Sequence, residues 1–150
     1  MKSGDQFLNG EVFRTLLMPE GGMIFTLSLP RPPKNFEAVE LINRNVFRVD
    51  KDGRVMWQIT RIDHPGVNWE AKHRHAREDG LPGCIEPFIE FVLRLPDGTR
   101  YPEGNPVDLI EWIPGCQVDL VNLGIGTQWY RLDVESGIAT EITPKGHRPW

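Results

Sequence analysis

A strand, turn, strand phrase occurs three times along this chain and restricts its fold more than any other feature: Asn45–Trp57 (NVFRVDKDGRVMW), Phe91–Tyr101 (FVLRLPDGTRY) and Trp129–Ala139 (WYRLDVESGIA). Each copy holds an aromatic or branched apolar run with one Arg, an acidic turn closed by Gly53, Gly98 or Gly137, and a second β-prone run. Glycine supplies a positive φ without steric cost, and Asp bonds its own backbone in reversals, so each phrase reads as a β-hairpin. Side chains alternate along a strand, which puts Val46, Arg48 and Asp50 on one face and Phe47 and Val49 on the other. Arg48, Arg94 and Arg131 occupy similar places and are expected to be solvated sheet-face residues paired with nearby acids.

A chain of 150 residues is long enough to bury about 68 to 70% of its unfolded surface in one domain, here taken as 1–150. No apolar run approaches the roughly 18 to 20 residues that span a bilayer, so no membrane segment is expected. The start, MKSGDQFLNG, lacks the basic-then-apolar order of a secretory signal, which favours a cytoplasmic address. Cys84 and Cys116 stand 32 positions apart without a CxxC or a Cys and His pattern, and are expected as buried or half-buried free thiols.

Net charge is −4 and unevenly spread: residues 1–80 hold 12 basic and 11 acidic side chains, residues 81–150 hold 5 and 10. That balance argues against nucleic acid, whose binding rests on Lys and Arg displacing counterions. An acidic second half suits a basic protein partner, because complementary fields raise association rates and fix orientation.

Along the chain, strands are expected at Glu11 to Leu17 and Met23 to Leu29, followed by a Pro-rich connector over 30–35. The spacing of Phe36, Val39 and Ile42 is compatible with a short helix or a strand. In the insertion 63–87 the β-pattern lapses, and Trp69 to Glu78 is the one good helical candidate, ended by Gly80 and Pro82. Strands resume at Phe88 to Leu95, Val107 to Ile113, Cys116 to Leu123 and the hairpin Gln128 to Ile142, with a turn at Gly124-Ile-Gly126 and a loose tail over 144–150. The fold class is therefore mainly β: a single antiparallel meander, as a curled sheet, small barrel or sandwich, with one short helix or helical loop.

The phrases NVFRVDKDGRVMW and WYRLDVESGIA resemble the hairpins of bacterial propeller blades of the quinoprotein and WD type, and the glycine steps of 45 and 39 residues are near a blade length. A closed propeller takes at least about four blades, so the resemblance implies a compact meander. The layout, with NVFxxDxxGxVxWQI at Asn45 to Ile59 and WYxLDxxSG at Trp129 to Gly137, also resembles short uncharacterised bacterial β proteins of immunity-partner type. That resemblance implies blocking of a toxin by surface contact and carries no catalytic residue.

The one polar cluster with ligand-like spacing runs from His64 to Glu78. On an extended strand His73 and His75 share a side, and with Glu78 or His64 form a metal set that resembles the HxH of cupin barrels. The glycine-rich lead and second motif of that family are missing, and His147 lies in the tail. Lys72, Arg74 and Arg77 interleave the histidines and oppose a cation. GxSxG, GxxxxGK[ST] and HExxH do not occur. The pairs Glu86 with Glu90 and Asp108 with Glu111 have spacings common on surfaces. Trp57, Trp112 and Trp129 are expected in the core, while Trp69 and Trp150 sit in polar or irregular sequence where an exposed Trp anchors interfaces.

The first expectation is a non-enzymatic protein-binding chain, without cofactor, contacting a basic protein through Asp97, Glu103, Asp108, Glu111 and Asp119 with Trp69 as anchor. The second is a small-ligand or metal-binding protein or enzyme using His64, His73, His75 and Glu78. The third is an assembly subunit that self-associates through open sheet edges.

Overall fold

The computed structural model describes residues 10–124 and 126–143. The tail expected over 144–150, with His147 and Trp150, lies outside them. Among the described residues eleven strands and two helices follow in chain order: β1 (Glu11–Leu17), β2 (Met23–Ser28), α1 (Phe36–Asn43), β3 (Val46–Val49), β4 (Val55–Gln58), β5 (Thr60–Ile62), α2 (Trp69–Glu78), β6 (Phe88–Arg94), β7 (Arg100–Tyr101), β8 (Leu109–Glu111), β9 (Gln117–Gly124), β10 (Gly126–Leu132) and β11 (Ile138–Glu141).

The strands form a five-stranded sheet, β4-β3-β2-β1-β8, and a six-stranded sheet, β5-β11-β10-β9-β6-β7. The chain is mainly β, as its alternation predicts, and neither sheet closes into a barrel. Both sheets are mixed rather than wholly antiparallel, because β8 runs parallel to β1 and β5 runs parallel to β11. The three hairpins are β3–β4, β6–β7 and β10–β11, the first in one sheet and the other two in its neighbour, so they do not build equivalent blades.

The two sheets share one core. Leu16, Ile24, Val46 and Trp57 contribute from the first, and Phe91, Leu93, Leu120 and Leu132 from the second. Phe25, Leu27, Phe47 and Val49 alternate with the first set and form a separate cluster on the opposite face of the five-stranded sheet. Arg48 shares the parity of Val46 and therefore points inward. It is 5% exposed, donates to the Val134 carbonyl at 2.7 Å and meets Glu20 at 3.3 Å. The expectation of a solvated Arg48 is corrected by that inward face. Trp57 is in the core, whereas Trp112 and Trp129 are half-buried.

Two asparagine caps start the helices. Asn35 accepts from the Ala38 amide and Asn68 from the Ala71 amide, each satisfying one free donor of the first turn. The Asn35 cap and the burial of Val39 and Ile42 make α1 a helix, resolving the ambiguous 36–43 segment. Asn43 and Asn45 then staple the chain entering β6: Asn43 donates to Cys84 O and accepts from the Glu86 amide, and Asn45 bonds both N and O of Phe88.

Candidate functional site

One end of the inner face of the six-stranded sheet is polar rather than apolar. Arg61 on β5, Tyr130 on β10 and Asn122 on β9 replace the leucines of the core there, and α2 lies over them through Trp69, Lys72 and His73. The Arg61 guanidinium donates to the carbonyls of Asn43 and Glu86 at 2.9 and 2.8 Å and to the Tyr130 hydroxyl at 3.1 Å. It lies 4.8 Å from the Phe88 ring, 4.9 Å from Trp69 and 5.4 Å from Tyr130, so the aromatic faces take up the charge that hydrogen bonds leave. Asp63 accepts from the Tyr130 hydroxyl and from Trp69 Nε1.

Beside this set Lys72 Nζ stands 2.9 Å from the Glu86 carboxylate, and the Cys84 thiol donates to the same carboxylate at 3.4 Å. Burial, then the Glu86 charge, push the Cys84 thiol up to about 11. Burial also raises the Tyr130 phenol and lowers the His73 imidazole. His73 accepts the Cys84 amide at Nδ1 (3.0 Å), which makes Nε2 the protonated nitrogen of the neutral ring. A cleft of about 270 Å³ opens here, lined by Glu40, Asn43, Arg44, Arg61, Asp63, Trp69 and His73. Its charged floor is committed to interior partners, and a high-pKa thiol and phenol are poor nucleophiles at neutral pH.

The metal candidates are not brought together. Residues two apart on a helix face different ways, so His73 points inward and His75 outward. His75 pairs with Glu78 at 3.3 Å on the surface, and His64 Nε2 contacts the Thr143 carbonyl. Among the described residues no group of three or more His, Cys, Asp or Glu is placed to hold a metal ion. Trp69, expected as an exposed anchor, is half-buried with its indole N–H on Asp63.

The acidic candidates divide. Asp119 is fully buried in β9, its carboxylate held by Arg94 at 3.0 Å and Arg131 at 3.2 Å from the flanking strands, and presents nothing to a partner. Asp97 is exposed, but its carboxylate accepts the Thr99 hydroxyl and amide, which hold its pKa below the usual carboxylate range. Glu103, Asp108 and Glu111 are exposed along the connection from β7 into β8. Of these Asp108 pairs with Arg14. A groove of about 460 Å³ adjoins Glu111, with Leu17, Met18, Pro19, Trp112 and Pro114 among its walls.

Comparison with protein-family models, curated proteins and solved structures finds no match to this chain. The polar end itself was missed in sequence. Arg61 and Asp63 alternate with Ile62 in a short β-prone run, which marks a strand with one polar face, but Glu86, Asn122 and Tyr130 reach it from distant segments. No helix among the described residues is long and apolar enough to cross a membrane.

Proposed function

We propose that this chain is a non-enzymatic protein-binding protein, and that its contact face is the acidic margin formed by Glu103, Asp108 and Glu111 with the groove beside Trp112. The observation that carries this reading is an apolar groove beside half-buried Trp112 that is lined by the exposed Glu111, with the exposed Glu103 and Asp108 preceding it along the chain. Interfaces combine such an apolar centre with a charged rim, and the rim charges choose the sign of the partner. The reactive-looking side chains of the polar end are engaged in holding α2 to the sheet, which favours binding over chemistry. A basic protein blocked by surface contact, as an immunity-type partner blocks a toxin, is the form of this function suggested by the hairpin phrases.

The test is co-purification from the native cell with tagged wild-type chain and with E103K/D108K/E111K. A stoichiometric basic protein that accompanies the wild type and is lost from the variant supports the reading; recovery with both variants alike overturns it. A second reading, a small-ligand site, rests on the 270 Å³ cleft at His73 and Trp69. In that case H73A changes recovery of a small molecule and the charge reversal does not.

A further inference from the structure

Strand β8 ends the five-stranded sheet and, among the described residues, pairs with β1 alone. Thr15 N donates to Asp108 O at 2.8 Å and Trp112 N donates to Leu17 O at 3.0 Å. In a parallel ladder the bonding residues are every second one, so Asp108, Ile110 and Trp112 face β1. The backbone N–H and C=O groups of Leu109 and Glu111 therefore point out of the sheet. Their side chains share one face and are exposed, Leu109 by 56%, while Ile110 enters the core.

We propose that this free edge of β8 takes up an extended segment carrying Lys or Arg as an added strand. The inference rests on the protein-binding reading and names the class of partner. An open edge is a template for a further strand, and backbone bonds supply attachment while side chains supply choice. The choice here is electrostatic. A second copy of this chain would bring its own acidic Glu111 end beside the same strand, and like charges close across a pair of strands repel. A basic strand meets that end with the favourable sign. Glu111, the exposed carboxylate of β8 itself, stands beside that edge and would face the cations of the added segment.

Leu109→Pro separates strand addition from charge attraction. Its N–H faces outward, so proline leaves the bonds to β1 in place and removes only the donor offered to the new strand. The probe is a synthetic octapeptide of alternating Lys and Val, with its Glu and Val counterpart as control, titrated by calorimetry. The wild type is expected to bind the basic peptide and not the acidic one, with binding reduced at least tenfold by Leu109→Pro at an unchanged Tm. In the wild type, hydrogen exchange of the Leu109 and Glu111 amides should slow on peptide addition, a readout that stands even if the proline variant fails to fold. Unprotected amides, equal binding by the proline variant, or no binding by the wild type overturns the proposal. If charge reversal at Glu103, Asp108 and Glu111 still abolishes peptide binding while Leu109→Pro does not, strand addition falls and the acidic contact face stands. A concentration-dependent doubling of mass, abolished by Leu109→Pro, gives the edge to a second copy and also overturns the proposal.

Discussion

Lys72 Nζ and the Glu86 carboxylate meet at 2.9 Å with 18% and 4% of their side chains exposed, and the contact joins α2 to the segment leading into β6. Removing one partner of a buried pair strands the other charge, at a cost of about 3–5 kcal/mol. Lys72→Ala is expected near that range, because it leaves the buried Glu86 carboxylate behind, and Glu86→Ala at its lower end, because the remaining ammonium reaches water more easily. Lys72→Met with Glu86→Leu should recover part of the loss. Urea unfolding of the three variants measures this, and a double variant as unstable as the worse single one contradicts it.

Gly137 and Gly98 both close hairpin turns, with φ of +79° and +89°, but their surroundings differ. A Cβ on Gly98 meets nothing within 4 Å, while one on Gly137 falls 2.5 Å from the Trp57 ring. Gly98→Ala should cost only the left-handed backbone term, about 1–2 kcal/mol. Gly137→Ala should cost about 1–3 kcal/mol more, since Trp57 is held by the core and by its bond to Val134 O and must be displaced. Thermal unfolding of the pair compares them directly, and equal losses would remove the Trp57 contact from the account.

His73 makes stability depend on pH. Burial lowers its pKa in the fold from the ordinary 6.5, so below pH 6.5 the unfolded chain binds a proton that the folded chain resists. The neutral ring contributes fully above 6.5, and stability falls as pH drops from there through the folded pKa. Relative to His73→Gln, the wild type should lose stability over that interval and run parallel to it above pH 7. Parallel curves throughout would show that the ring titrates normally.

The Cys84 thiol, raised from 9.0 to about 11, carries roughly a hundredfold less thiolate than an ordinary cysteine at neutral pH. Iodoacetamide at pH 8 should modify Cys84 about a hundredfold more slowly in the folded chain than in urea, with the site read by peptide mass. Glu86→Gln should speed the folded reaction by removing the adjacent negative charge. An unchanged rate in that variant would leave burial as the whole cause.

Local order in this fold is plain from the chain. The expected spans Glu11 to Leu17 and Trp69 to Glu78, the second ended by Gly80 and Pro82, match β1 and α2 as they stand. Pairing is not legible in the same way, because β1 with β8 and β5 with β11 join segments far apart, and nothing local states a parallel register. Asp119 shows the limit for single residues. Alternation gives it the same face as Gln117, and Arg94 and Arg131 on the neighbouring strands hold its carboxylate there. Glu86 and Glu141 are likewise buried, so the acidic second half presents a smaller charged surface than its composition suggests. Glu103, Asp108 and Glu111 keep their expected exposure because turns and an edge strand leave them no interior to enter.

The acidic β8 margin is tested most directly by amide hydrogen exchange of the chain, free and in complex with the protein it captures. The account predicts slowed exchange within residues 103–113 and in the 17–22 turn beside Trp112, with 61–73 unchanged. Protection confined to 61–73, with 103–113 exchanging as in the free chain, would contradict it and move the binding site to the cleft at Arg61 and His73.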